Sequence, residues 1–205
     1  MSRLELVQRV FLEAGLAGSG PTSTVDQVGE AAQIVGYVDE AWLDIQQARK
    51  WRWMWELVDI TIEAGQSSAT DDVPADRYIH DSAYIGMVDL AYVPWEVWRM
   101  VYPTITGTGQ PSEWTIRPDN AFLVNSTVSE DTTISIERYE NPTVMTADDD
   151  EPVGLKGEHH MVIVWRAVML YAGFDEADKL YKHAAMEYAK KLAVLRRECN
   201  PVQLW

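Results

Sequence analysis

Apolar residues in this chain recur at helical spacing near both ends and in alternation between them, so helices are expected to flank a β block. Leu4, Val7, Phe11 and Ala14 mark a first helix over roughly residues 3 to 14, with Gly15 in the position a helix C-terminus favours. Thr24 followed by Gln27 has the form of a capping box and is expected to start a second helix. Its stripe of Val28, Ala31, Val35, Val38, Trp42 and Ile45 calls for partner helices at the ends of the chain.

The period changes near Trp51. Trp53, Trp55, Val58, Ile60 and Ile62 alternate with polar or flexible neighbours, as in a strand with one wet face. Residues 64 to 82, rich in Gly, Ser, Asp and Pro, read as a long exposed loop. A strand over 87–93, a short helix led by Pro94, a hairpin turning at Pro118-Asp119-Asn120 and a strand ending at Tyr139 complete the block. From Glu158 the helical period returns. One apolar helix runs to Tyr171, and a last helix carries the stripe Ala177, Leu180, Tyr181, Ala184, Tyr188, Leu192 and Leu195. The expected fold class is α+β, with terminal helices (1–52 and 158–199) packed as a small bundle, an antiparallel β element (53–145) inserted between them, and a tail at 200–205, all in one domain.

At 205 residues with 47% hydrophobic content the chain can fill a sizeable core, and an ordered chain is expected. Seventeen Lys and Arg against 32 Asp and Glu give a net charge of -15. That composition disfavours a protein that grips phosphates, which needs a positive surface, does not exclude one past which DNA slides without sticking, and is shared by many bland soluble proteins. The single Cys199 excludes an intramolecular disulfide. The N-terminus lacks the apolar run of a signal peptide. The most apolar segment, 161–174, is interrupted by Arg166 and too short to span a bilayer, so no membrane association is expected.

The residues that could carry chemistry have bland readings. Asp148-Asp149-Asp150-Glu151 lacks the alternating acids, central Gly and closing Glu of a calcium loop and reads as a solvated turn. His159 and His160 are neighbours, pointing about 100° apart on a helix, and cannot share an ion as an i, i+4 pair does. Cys199 and His183 lack an orienting group, and no nucleophile elbow, P-loop, dinucleotide fingerprint or zinc motif occurs. No catalytic residue, cofactor or metal ligand is assigned. Trp42, Trp53, Trp55, Trp98, Trp114 and Trp165 fall on expected apolar faces and are read as core. Trp205 ends a polar tail and is read as an anchor for a partner.

One series of patterns runs along the chain: the first helix ending at Gly15, the long helix running into 51–55, and Ile60-Thr61-Ile62-Glu63-Ala64-Gly65 leading to Val73-Pro74-Ala75-Asp76. Trp114-Thr115-Ile116-Arg117-Pro118, the strand 134–139, and Asp150-Glu151-Pro152 before a helix with Ile163 and Ala167 follow. Taken in order, these patterns resemble the adaptor proteins that sit beneath the portal of tailed bacteriophages. Where such proteins carry a leucine-proline step before the penultimate helix, this chain has Val153-Gly154-Leu155-Lys156-Gly157. The resemblance covers nearly the whole chain. It implies a structural virion protein made in the host cytoplasm and placed in the neck. It also implies a homo-oligomeric ring, a dodecamer, with the portal protein above, a stopper, nozzle or tail-tube protein below, and DNA passing through the channel without specific binding. It implies no catalysis.

Within that frame the partner-binding residues are expected at the end of the chain. Asn200-Pro201 stops the last helix. Leu204 and Trp205 then insert into the portal or a neighbouring subunit, with Lys190, Lys191, Arg196 and Arg197 steering the approach to an acidic surface. Two other classes fit parts of the sequence: a small β-sandwich module binding a carbohydrate or cation through the Trp residues and acidic turns, and a hydrolase with an unrecognised site.

Overall fold

The computed structural model describes residues 1–71 and 73–199. Its elements run α1 (Arg3–Glu13), α2 (Gly29–Gln47), β1 (Trp55–Ile62), β2 (Ser68–Thr70), β3 (Tyr84–Ile85), β4 (Val88–Asp89), β5 (Ala91–Tyr92), α3 (Trp95–Val101), β6 (Glu113–Ile116), β7 (Ala121–Val124), β8 (Thr132–Tyr139), α4 (Met161–Phe174) and α5 (Asp178–Cys199). The class is α+β, as the sequence implies. The chain forms two compact units, one from Met1–Trp53 and the described residues from Pro142 onward, the other from Met54–Asn141.

In the helical unit α4 is the central element, packed against α1, α2 and α5. Its sequence is apolar on nearly every side, and a helix of that kind is stable only when surrounded. Val162, Ile163, Val164, Ala167 and Val168 are fully buried. Its one charged residue, Arg166, donates from Nε and Nη2 to Asp44 Oδ2 of α2, at 2.9 and 2.6 Å. α2 contributes Ile34, Val38, Trp42 and Ile45, and α1 contributes Leu6, Val7 and Val10. The approach to α4 takes the place of the missing leucine-proline step with a tight turn. Gly154 adopts φ +74°, and a Cβ there would lie 2.8 Å from Trp53 Cδ1. Trp53 in turn stacks on the buried Trp51 with centroids 4.7 Å apart.

The second unit has two four-stranded sheets, ordered β1-β8-β3-β4 and β2-β7-β6-β5. β1 and β8 pair antiparallel from Trp55 opposite Tyr139 to Ile62 opposite Thr132. β5 and β6 are parallel, a departure from the all-antiparallel expectation. Both sheets feed one apolar core: Ile60, Ile62, Ile134 and Ile136 from the first, Trp114, Ile116, Phe122 and Val124 from the second.

Several local expectations are corrected. α2 starts at Gly29 with Val28 as N-cap and no side-chain cap. Thr24 cannot cap it, because Asp148 accepts from both its amide and its hydroxyl at 2.5 Å, and Arg3 Nη1 donates to the hydroxyl oxygen at 2.9 Å. Asp26, at φ 55°, also breaks helical geometry there. A capping box is formed instead by Ser2 with Glu5, at the start of α1. The segment 64–82 is not a plain loop, since β2 pairs with β7 and Val73 and Tyr78 are buried. The strand expected over 87–93 is split between the two sheets as β4 and β5, with buried Leu90 as the pivot and Met87 fully exposed. Trp55 lies on the wet face of β1, 40% exposed, with Nε1 donating to Glu137 Oε2 at 3.1 Å. Tyr181 is also exposed, so the buried face of α5 rests on Ala184, Leu192 and Leu195.

The acidic run is not merely solvated. The carbonyls of Asp150 and Asp148 accept from the backbone N–H groups of Arg3 and Leu4, donors that the first turn of a helix leaves unpaired. The Asp150 carboxylate accepts from the Thr146 and Ala147 amides at 2.6 and 2.8 Å. Hydrogen bonds from Thr24 hold the Asp148 carboxyl below the usual aspartate range, and the backbone amides of Ala147 and Thr146 do the same for Asp150. Buried Arg3 completes the knot, with Nε and Nη2 on Asp39 at 3.0 and 2.6 Å and Nη1 also on Thr146 O at 2.8 Å. Among the described residues, no helix is long and apolar enough to cross a membrane.

Candidate interaction surfaces

α5 opens with Asp178 and closes with Arg196 and Arg197, the polarity that its dipole favours. Lys190, Lys191, Arg196 and Arg197 are all exposed. Lys190 Nζ lies 2.6 Å from Glu187, and Arg197 Nη2 lies 3.3 Å from Glu198, so part of this positive charge is compensated locally. Lys191 instead lines a small cavity with Glu158, His159, Val194 and Glu198. Exposed Tyr181, Met186 and Val194 add apolar area to the same helix. Leu204 and Trp205 lie outside the described residues.

The β unit has the opposite character. Fifteen of the Asp and Glu residues but four of the Lys and Arg fall within Met54–Asn141, which therefore carries most of the net negative charge. A groove of about 770 Å³ beside β1 is lined by Glu56, Asp59, Asp71 and Glu140, with Arg138 among them. Arg138 is partly buried, which works against its charge. Donating to Glu56 at 2.8 Å and to both oxygens of Asp71 more than restores that charge, so its pKa is raised. Burial and the neighbouring Glu56 push the Glu140 carboxyl up. The groove thus holds more carboxylates than its one guanidinium can neutralise. Apolar side chains are also exposed on this unit, at Val97, Met100 and Val101 of α3 and at Met87 between β3 and β4.

The residues weighed for chemistry are placed as follows. His159 and His160 form the 3₁₀ turn and N-cap just before α4 and face different partners. His160 Nε2 contacts the Leu155 carbonyl at 2.9 Å and Nδ1 the Met1 amine at 2.7 Å. The second contact follows if the ring proton sits on Nε2. Burial, then the nearby amine, lowers the His160 pKa. His159 Nε2 lies 3.3 Å from Glu198 Oε2 and 3.8 Å from Glu158 Oε1. Glu198 escapes a reading of the sequence alone because it is far along the chain from His159. Burial, then Glu198, raises the pKa of the Cys199 thiol, which opposes a thiolate nucleophile. Trp42, Trp51, Trp98 and Trp114 are almost wholly buried, leaving none of these four as a stacking platform.

Among known protein families, the SU10 adaptor protein family matches the chain over residues 1–202. No curated protein matches the chain.

Proposed function

This chain belongs to the SU10 adaptor protein family of bacteriophages, and we propose on that premise that it forms the ring connecting head to tail. As a phage adaptor it is a structural component of the virion. In this reading identical subunits close into a dodecameric ring under the portal protein, continue the DNA channel and present a platform to a stopper, nozzle or tail-tube protein. The work is geometric and needs neither catalysis nor a cofactor. Modest contacts become strong when a closed ring makes many of them at once.

The observation that carries the reading is the family match over nearly the full chain. The segregation of charge supports it. A channel wall bearing carboxylates repels DNA phosphates and leaves the duplex free to move, and the β unit offers such a surface. The exposed cations near the end of α5 suit the approach of the tail to an acidic partner, with Leu204 and Trp205 as its anchors. Burial of one large apolar side chain contributes roughly 1.5 to 3 kcal/mol, enough for such an anchor to matter when repeated around a ring.

Removing residues 200–205 tests this reading. The truncated protein is expected to keep its melting temperature and to be lost from purified particles, and electron microscopy of the parent particle is expected to place the chain between capsid and tail. A truncated protein that melts several degrees lower yet still enters particles would assign the tail to the core.

A further inference from the structure

We infer that Glu158, His159 and Glu198 form a binding site for a divalent transition cation of the zinc type. His159 is 7% exposed, and its Nε2 has no hydrogen-bond partner among the described residues. A buried ring nitrogen left this way is costly unless something occupies its lone pair or it takes up a proton. The groups facing it are the carboxylates of Glu198 and Glu158, and the ligand atoms of all three lie within 4.8 Å of one another. They share a cavity of about 160 Å³ that opens to solvent.

Metal bonds of about 2.0 to 2.1 Å in a tetrahedral site put ligand atoms roughly 3.3 Å apart. The His159–Glu198 separation is 3.3 Å; exposed Glu158 lies 3.8 Å from the ring nitrogen, and with the three ligand atoms spread over up to 4.8 Å its side chain has to swing inward toward both partners. Imidazole with two carboxylates suits zinc better than calcium or magnesium, which take oxygen ligands. Water would fill the fourth position. The competing occupant is Lys191, which lines the cavity. It is exposed and its flexible stem can swing out. The competing state is an imidazolium paired with Glu198. Because Glu158 and His159 precede α4 and Glu198 is in the last turn of α5, a bound cation would clip the end of one helix to the start of the other.

The test is calorimetric titration of tag-free, full-length protein with Zn²⁺ in excess Mg²⁺. The expected result is one saturable site per chain that raises the melting temperature. Glu198→Gln, an exposed position that leaves the core intact, and His159→Gln are each expected to weaken binding about tenfold or more. His183→Gln, at an exposed histidine outside the cluster, is expected to bind like the parent. Absence of a saturable site, competition by Mg²⁺, or unchanged affinity in Glu198→Gln overturns the inference. A melting temperature that responds to pH but not to Zn²⁺ also overturns it, and assigns the pair to an imidazolium–carboxylate contact.

Discussion

Arg3 makes more long-range polar contacts than its place in an amphipathic first turn suggests. It reaches Asp39 in α2, Thr24 in the connecting segment and Thr146 before α4. Nothing near Arg3 in the sequence distinguishes it from an ordinary solvated cation, because each partner is distant in the chain. The same holds for Asp148 and Asp150, which read as a wet acidic turn and instead hold the start of α1. Their carboxyls are held below the ordinary value of about 3.9. Their stabilising contribution is therefore complete above that pH and is lost as the pH falls through the lower folded-state values. Asp148→Asn keeps the shape and removes the charge. It should melt below the parent at neutral pH, with the difference shrinking below about pH 3.9 as the parent's carboxyl protonates. Melting followed by circular dichroism across this range checks it, and a difference independent of pH would refute the charge argument.

At the scale of elements, legibility followed length. α1, α4 and α5 span enough turns for the 3.6-residue period to show, and β1 and β8 are long enough for alternation. β3, β4 and β5 have two residues each, too few for any period, and their existence depends on partners far away in the chain. Trp114 is legible as core yet not as the hub it becomes. It stacks on Phe122 with centroids 5.1 Å apart and touches the rings of Tyr92 and Tyr78. Its Nε1 is buried with no hydrogen-bond partner among the described residues. Trp114→Ala should cost about 3 to 5 kcal/mol in urea unfolding, through the cavity it leaves. Trp114→Phe removes the unpaired N–H along with some volume. It should cost much less, within about 1.5 kcal/mol. Equal losses in the two variants would refute the cavity argument.

Over the molecule as a whole, the net charge of -15 and its concentration in the middle of the chain were both legible once the β block was placed at 53–145, and the folded unit Met54–Asn141 holds the same fifteen acids and four bases. The acidic β unit and the basic end of α5 give the chain two chemically distinct regions. The family was legible only through resemblance, since the likeness rests on the order of weak patterns and not on a single motif. The acidic reading makes a direct prediction for the isolated chain. In a mobility-shift assay with linear duplex DNA at low ionic strength, where cationic proteins bind most tightly, no complex is expected. A retarded band that disappears as salt is added would contradict a channel wall that repels DNA.

The pairing at the foot of the β unit has an evolutionary consequence. Glu140 N–H donates to Met54 O at 2.8 Å, continuing the β1–β8 ladder to both ends of the segment. Those ends therefore stand about one strand spacing apart, roughly 5 Å. A block of chain that leaves and returns at one point can be lengthened, recombined or replaced as a single genetic cassette, because any substitute has only that small gap to bridge. Descendants of one ancestral helical scaffold could thus acquire unrelated middle segments, and comparison of their genes should find the steepest divergence between the codons for Met54 and Asn141.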